Sequence, residues 1–242
     1  MGTTPQGIRD EQQASEWVRG MFGGIAGRYD FLNHLLSFNL DRLWRRHTVR
    51  RVLSLVPDPQ AKVLDICCGT GDLMLALERK RGTSVLGADF CHPMLIEARR
   101  KVQSGSLRSA VFEADGLTLP LATGSLDLIT VAFGFRNFAN YRRGLDEMLR
   151  VLKPGGVAAI LEFSKPSNPV FGPVYNWFST VLLPKIGGLV SGSPKAYSYL
   201  PESIRKFPNA EALAGMMRDT GFSRVEYDLL TFGAVALHLS RK

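Results

Sequence analysis

Three cysteines in 242 residues, two of them adjacent, are too few and too oddly placed for a disulfide framework. That points to a reducing compartment. The four histidines, His34, His47, His92 and His238, are scattered and show no metal-ligand spacing. No apolar stretch reaches the ~20 unbroken residues of a membrane span; the longest, 170–190, is interrupted by Pro173, Pro184 and Lys185. The polar opening MGTTPQGIRDEQQ carries no signal-type apolar region. Gln6 stands where an N-myristoylation signal has Ser or Thr. Acidic residues are outnumbered, 22 against 30 Lys and Arg, for a net charge of +8. A surplus of that sign suits an acidic surface, either nucleic acid or anionic lipid. There is no internal repeat and no low-complexity tract.

What is present is globular. A hydrophobic content of 45% and a charged content of 21% fit one domain with a full core. From about residue 61, short β-rich runs recur at 63–67, 84–89, 110–114, 126–132, 157–163, 225–230 and 234–239. Helical periodicity lies between the early ones. Met94, Leu95, Ala98 and Val102 share one face, Leu145, Met148, Leu149 and Leu152 another, and Ala212, Leu213, Met216 and Met217 a third, with Gly221 as a left-handed stop. Strand-helix alternation predicts βαβ units. The last two strands, around Gly233, read as an antiparallel hairpin. The fold class expected is therefore α/β: a doubly wound, seven-stranded, mostly parallel sheet with an antiparallel edge strand. A helical N-terminal cap is expected over 1–60, where Trp17, Val18, Met21, Phe22 and Ile25 share a face that Gly20, Gly23, Gly24 and Gly27 weaken. Residues 164–207, rich in Pro, Gly, Ser and aromatics, read as an insertion of the size that lids and binding loops take.

The run DICCGTGD, 65–72, falls where the first strand gives way to a helix. Gly69 and Gly71 let the backbone approach a ligand closely, and Asp72 is placed to cap the helix. A dinucleotide fingerprint needs a third small residue where Met74 stands. A triphosphate cradle needs a Lys-Ser/Thr pair that does not follow. Instead, Asp65 lies in the first strand, Asp89 ends the second and Asp115 ends the third. Three carboxylates on one sheet edge repel an anionic cofactor and favour a cationic one with ribose hydroxyls and an amine. S-adenosylmethionine has those groups. Asp89 lies 18 residues after Gly71, the spacing at which an acid grips ribose hydroxyls, and Asp115 suits an adenine amine. Cys67 and Cys68 read as small packing residues, with no basic partner to make a nucleophile.

VLDICCGTGD, LGADF, EADGLTLP and LKPGG resemble the class I S-adenosylmethionine-dependent methyltransferases. MFGGIAGRYDFLNHLLSFNLDRLWRR at 21–46, VAFGFRNFANYRRGLDEMLRVLKPGG at 131–156, LEFSKP at 161–166, YSYLPESIRKFP at 197–208 and LLTFGAVALH at 229–238 narrow the resemblance to the ubiquinone/menaquinone biosynthesis C-methyltransferases. It spans roughly 17–240 and implies a single class I methyltransferase domain over 1–242: cap 1–60, cofactor-binding core 61–163, insertion or lid 164–207, last helix and hairpin 208–242. It implies ring-carbon methylation of a prenylated hydroquinone, demethylmenaquinol or the related ubiquinol precursor. Carried over by motif, Thr70, Asp89, Asp115 and Gly116 join Asp65, Gly69 and Gly71 as cofactor contacts, with no metal. Ala132 replaces a serine found in some members. Tyr29, Arg136 and Asn137 are the catalytic candidates. Arg136 would stabilise the developing phenolate, Asn137 would orient a quinol oxygen, and Tyr29 would touch the quinol or relay its proton. The structural alternatives are an Arg136 paired with a carboxylate and a Tyr29 that packs the cap.

Phe171, Tyr175, Trp177, Phe178, Val181, Leu182 and Leu183 suit either a tunnel for an isoprenoid tail or ordinary core. Arg42, Arg45 and Arg46, beside Trp44, suit either lipid headgroups or solvent. The lack of a transit-peptide pattern favours a bacterial cytoplasmic enzyme working at the inner face of the membrane, with self-association or assembly with other quinone enzymes open. Rival readings are an RNA or other small-molecule methyltransferase on the same fold, a non-enzymatic cofactor-binding module, and a dehydrogenase. Phe-Gly-Phe-Arg-Asn after the fourth strand, in place of an Asn/Asp-Pro-Pro-aromatic motif, and the lack of a Pro-Cys pair argue against nucleic acid. Met74 argues against the dehydrogenase.

Overall fold

The computed structural model describes residues 2, 3, 5, 7, 8, 10–166 and 194–242, with 194–198 as backbone alone. The first helix, α1 (Glu11–Ile25), is capped by Asp10, whose carboxylate accepts from the backbone N–H groups of Gln12 and Gln13. It runs through Gly20, Gly23 and Gly24, because Ala14, Val18 and Ile25 bury a continuous stripe that offsets their poor propensity. At Gly23 the helix packs against the start of α5 (His92–Ser104), where a Cβ would make ordinary contact with Pro93 at 3.5 Å. A 3₁₀ turn (Ala26–Arg28) leads to α2 (Tyr29–Leu36), and a left-handed Asn39 turns the chain into α3 (Leu40–Leu55). These three helices form the expected cap.

The sheet has seven strands: β1 (Val63–Ile66), β2 (Leu86–Asp89), β3 (Ala110–Glu113), β4 (Leu126–Ala132), β5 (Leu152–Phe163), β6 (Ser223–Leu230) and β7 (Val235–Arg241). Their order is β3-β2-β1-β4-β5-β7-β6. The first five are parallel, and β7 lies antiparallel to both β5 and β6, so the hairpin supplies the antiparallel edge. The hairpin turns through Thr231, Phe232 and Gly233, all at positive φ. Every residue of β1 is buried, because helices cover both faces of a parallel sheet. On one face α6 (Tyr141–Val151) and α8 (Ala210–Thr220) set Leu145, Met148, Leu213 and Met217 against Ile129 and Ile160. On the other, α3 and α4 (Asp72–Arg81) set Trp44, Val52, Leu73 and Leu77 against Val157 and Leu239. Helix α5 (His92–Ser104) lies between β2 and β3. Gly221 ends α8 at φ 112, as the sequence predicts.

Chain reversal at β1 puts β2 and β4 on opposite sides of it, which opens a crevice at the carboxyl ends of the strands. Met74 is fully buried and fills the space over Gly87 of β2, where a Cβ would fall 2.6 Å from its sulfur. That wedge occupies the room in which close helix-strand packing over a pyrophosphate would form. Helix α7 (Pro194–Lys206) closes the long insertion. The tunnel residues Phe171 to Leu183 lie outside the described residues. Among the described residues, no helix is long and apolar enough to cross a membrane.

Two local expectations need correction. Gly71, not Asp72, is the N-cap of α4, at φ 88; Asp72 is the first helical residue, and its carboxylate turns to Lys101 and Arg45. Arg45 leaves the face it was to share with Arg42 and Arg46. It points inward, paired with Asp41 and with its guanidinium 5.6 Å from the Phe133 ring centroid. Arg42, Arg46 and Arg50 remain exposed.

Candidate active site

After β1 the chain passes through Cys67 (φ 49), Gly69 (φ 55) and Gly71 (φ 88), three left-handed residues in five. Asp89, at the tip of β2, pins this bend: its Oδ2 accepts from Gly69 N at 2.8 Å and its Oδ1 from Cys91 N at 2.8 Å. Tyr29, the first residue of α2, hangs over the bend, with its ring 3.9 Å from where a Gly69 Cβ would stand. Gly71 faces away from the crevice toward Met74 and Ala98, so its part is the turn itself.

Above this bend lies an open cleft enclosing about 650 Å³ of space that runs out into solvent. Tyr29, Gly69, Asp89, Asp115, Gly116 and Asn137 line it, with Phe90 and Phe138 as apolar walls and Ser15 and Phe22 of α1 closing it. Asp115 sits just beyond β3 and accepts from Leu117 N at 2.9 Å. Gly116 is required by contact: a Cβ would meet the Phe138 ring at 2.5 Å. An adjoining cavity of about 320 Å³ is lined by Asp65, Thr70, Asp72, Arg45, Tyr29 and Ala132. Of the seven cofactor candidates, Gly69, Asp89, Asp115 and Gly116 meet in the larger space, Asp65, Thr70 and Gly69 in the smaller, and Gly71 in neither.

The electrostatics of the site are set by two buried carboxylates. Asp65 is 1% exposed and accepts from the Thr130 hydroxyl at 2.6 Å. Burial pushes its carboxyl up to about 7 against the pull of Thr130, Arg45 and the Met74 backbone N–H. Burial likewise raises Asp89 to about 6, despite the backbone N–H groups of Cys91, Gly69 and Phe90. Burial, then Asp89 and Asp65, hold the Cys67 and Cys68 thiols well above their ordinary value, which keeps them protonated and in a packing role. A sulfonium with an ammonium and a ribose diol fits these groups: two buried carboxylates suit a positive charge and hydroxyl donors, and Gly69 brings bare backbone to the cavity wall.

Thr70 is 3% exposed, and its hydroxyl donates to Asp30 at 2.5 Å while accepting from Lys101 Nζ at 3.1 Å. Lys101 bridges Asp30 of α2 and Asp72 of α4, at 2.5 and 2.7 Å. Arg45 continues the chain of charges to Asp41, which also takes His34 at 2.8 Å and Ser37 at 2.7 Å. This latch ties the cap to the cofactor bend. It brings His34, Asp41 and Asp72 within 4.8 Å of one another, but Arg45 and Lys101 already pair with the two carboxylates.

Of the catalytic candidates, Tyr29 and Asn137 line the larger cavity and Arg136 lies behind them. Arg136 is 5% exposed and its Nη1 donates to Glu162 Oε1 at 3.0 Å and to the Phe133 carbonyl. The carboxylate pairing weighed from sequence is thus present. Yet Arg136 Nε is buried with no partner among the described residues. Burial pulls its pKa down, but Glu162, Tyr29 and Tyr199 outweigh that and raise it, so the group stays charged. Burial foremost raises Tyr29, opposed by Asn33 and Arg136, so its hydroxyl is a neutral donor. Asn137 Oδ1 accepts from the Tyr199 hydroxyl at 3.1 Å, which leaves its Nδ2 free to donate. Glu162, Tyr199, Phe138 and Lys101 escaped the sequence reading of the site. Glu162 and Tyr199 lie in quoted motifs, LEFSKP and YSYLPES, and those were the available signal.

Sheet order and acid-tipped carboxyl edge together define a Rossmann-like methyltransferase. The solved structure of a putative S-adenosyl-L-methionine-dependent methyltransferase from Methanococcus maripaludis shares the fold, with a TM-score of 0.62 at 18% identity over 89% of this chain and 92% of that one. The model of the ubiE/COQ5 methyltransferase family matches residues 8–242, and the chain belongs to that family. It is 51% identical over 220 residues to the demethylmenaquinone methyltransferase of Thermus thermophilus, covering 90% of this chain and 98% of that protein. It is 40% identical over 237 residues to the ubiquinone/menaquinone biosynthesis C-methyltransferase UbiE of Shewanella sediminis, covering 96% and 93%.

Proposed function

We propose that this enzyme methylates a ring carbon of a prenylated hydroquinone from S-adenosylmethionine, with demethylmenaquinol as first substrate and the ubiquinol precursor as second. The observation that carries the reading is the acid-lined cofactor site with Asn137 and Tyr29 in its wall and Arg136 buried behind them. S-adenosylmethionine, when bound, supplies an electrophilic methyl group. Asp89 would hold the ribose hydroxyls, Asp115 and Gly116 the adenine end, and Asp65 the positive charge; their lining of the two cavities supports this reading.

An aromatic carbon becomes nucleophilic when a neighbouring hydroxyl loses its proton. Arg136, charged in a buried setting and with an unpartnered Nε, stabilises the resulting phenolate. Asn137, its amide oriented by Tyr199, donates to a quinol oxygen. Tyr29 contacts the quinol and passes its proton toward solvent. Phe22, Phe90 and Phe138 give the site apolar walls. The reading extends to where the enzyme works, as a cytoplasmic protein at the inner face of the membrane. Phe31 and Leu35 on α2 and Leu43 on α3 are exposed beside Arg42, Arg46 and Arg50, a pairing of apolar and basic groups that suits anionic lipid. Sedimentation with liposomes that ignored anionic lipid content would refute that contact.

The central test is methyl transfer to reduced demethylmenaquinone analogues and to the ubiquinol precursor, read by mass. Product one methyl heavier is expected from the first at least; no product from either refutes the reading. Arg136→Ala should lower kcat by about 100-fold or more while S-adenosylmethionine affinity survives.

A further inference from the structure

Glu162 stands near the carboxyl end of β5, 1% exposed. Its carboxylate accepts three N–H donors: Oε1 takes Arg136 Nη1 at 3.0 Å and the backbone N of Phe163 at 2.9 Å, and Oε2 takes the backbone N of Arg136 at 3.1 Å. One side chain therefore grips the main chain and the guanidinium of the same arginine. The guanidinium carbon sits 5.3 Å from the centroid of the Phe163 ring, so the next residue of β5 also supports it. The backbone held in this way is the 3₁₀ turn Phe135–Asn137, which delivers Asn137 to the cavity.

The pattern of donors singles out a carboxylate. Three N–H groups on two oxygens leave no place for an NH₂, so a glutamine would set a donor against a donor; an aspartate is one carbon short of both. Nε of Arg136 is buried without a partner among the described residues. The other titratable groups that face Arg136 are tyrosines: Tyr29 from α2, Tyr199 from α7 and Tyr141 from α6, whose hydroxyl donates to the Arg136 carbonyl at 3.0 Å. Among these groups Glu162 is the one carboxylate.

We propose that Glu162 is a positioning residue for methyl transfer. By holding both ends of Arg136, it aims the unspent part of the guanidinium at the quinol hydroxyl and fixes how much positive charge that oxygen meets. This rests on the quinol reading above, and the test separates the two.

The experiment is a double-mutant cycle of Glu162→Gln and Arg136→Ala, with Glu162→Asp alongside, on the full chain. Calorimetry with S-adenosylmethionine verifies each variant, since Asp65 and Asp89 do not touch Glu162. Steady-state methyl transfer to a reduced demethylmenaquinone analogue is followed from pH 5.5 to 9. Glu162→Gln should lower kcat by about 100-fold, as a misaimed group does. Its quinol KM should stay within about threefold. The acid limb of kcat should move to lower pH, because Arg136 has lost its counter-charge and favours the phenolate more. Glu162→Asp keeps the charge and should lose kcat with the limb unmoved. The double variant should be no slower than Arg136→Ala alone. Multiplicative losses in the double variant would overturn the proposal, as would a Glu162→Gln rate scaled equally at every pH. If Glu162→Gln fails to bind S-adenosylmethionine, wild-type kcat in Glu162→Asp overturns it instead. Wild-type turnover in Arg136→Ala would refute the quinol-contact role of Arg136, which is a separate failure.

Discussion

Cofactor affinity should depend steeply on pH, because the cation meets carboxylates that burial has half-silenced. Asp65 stands at about 7 and Asp89 at about 6 in the ligand-free protein. A sulfonium beside them favours the ionised forms, so binding returns both toward the ordinary carboxylate range and expels protons. The sign is that affinity rises with pH through these values. From pH 5.5 to 7.5, the ionised fraction of a group at 7 grows about 25-fold and that of a group at 6 about fourfold, for a combined gain of about 100-fold in association constant. At pH 6.5 about one proton leaves per cofactor bound. Titration calorimetry at four pH values, repeated in buffers of different ionisation enthalpy, reads both quantities. S-adenosylhomocysteine lacks the sulfonium charge and should show a shallower slope. Asp65→Asn should leave only the fourfold part. A dissociation constant that moves less than about twofold across the range, with no proton release, would refute the electrostatic account of the site.

Three further outcomes are expected. Lys101→Met unties the cap from the cofactor bend; as its partners are partly exposed, stability should fall by no more than about 1 kcal/mol. Limited proteolysis in the cap should nonetheless quicken, and unchanged cleavage would argue against a latch. Gly116→Ala drives a methyl group into Phe138 and should weaken S-adenosylmethionine binding about tenfold or more by calorimetry, with a wild-type constant as the refuting result. His238 is 2% exposed, its Nε2 lies 2.8 Å from the Ala210 carbonyl, and burial holds its pKa below the ordinary histidine value. Its lowered folded value stabilises the protein above about pH 6.5, and that contribution is lost as pH falls toward the folded value. His238→Asn should flatten the fall in Tm between pH 7 and 5 relative to wild type.

Much of this architecture is legible because several strands are apolar runs with a glycine or aspartate at their end or in the turn that follows. Asp89 reads as a strand tip because the run before it alternates nothing and stops there; the structure ends β2 on that residue. Gly69 and Gly71 read as a bend because no side chain there suits anything else, and both adopt positive φ. The failures share a cause. Arg45 looks like its surface neighbours in helical projection, and only the approach of Asp72 and Phe133 from other elements turns it inward. Asp72 had the residue type of a cap, but Lys101, 29 positions away, is the stronger partner. Arg136 and Glu162 are 26 residues apart on neighbouring segments of the sheet edge. Pairings of that span leave no periodicity to read, so they become visible only when the strands are laid side by side.

The place of β7 has a consequence for how the chain comes together during synthesis. β6 meets the sheet only through β7, which follows it in the chain and lies between it and β5. As the chain leaves the ribosome, five parallel strands and the whole cofactor edge are available before this last pair docks. The outermost strand must wait for its successor. A chain stopped at Gly233 would keep the carboxylate tips yet leave one flank of β5 uncovered, an open template for pairing with other molecules.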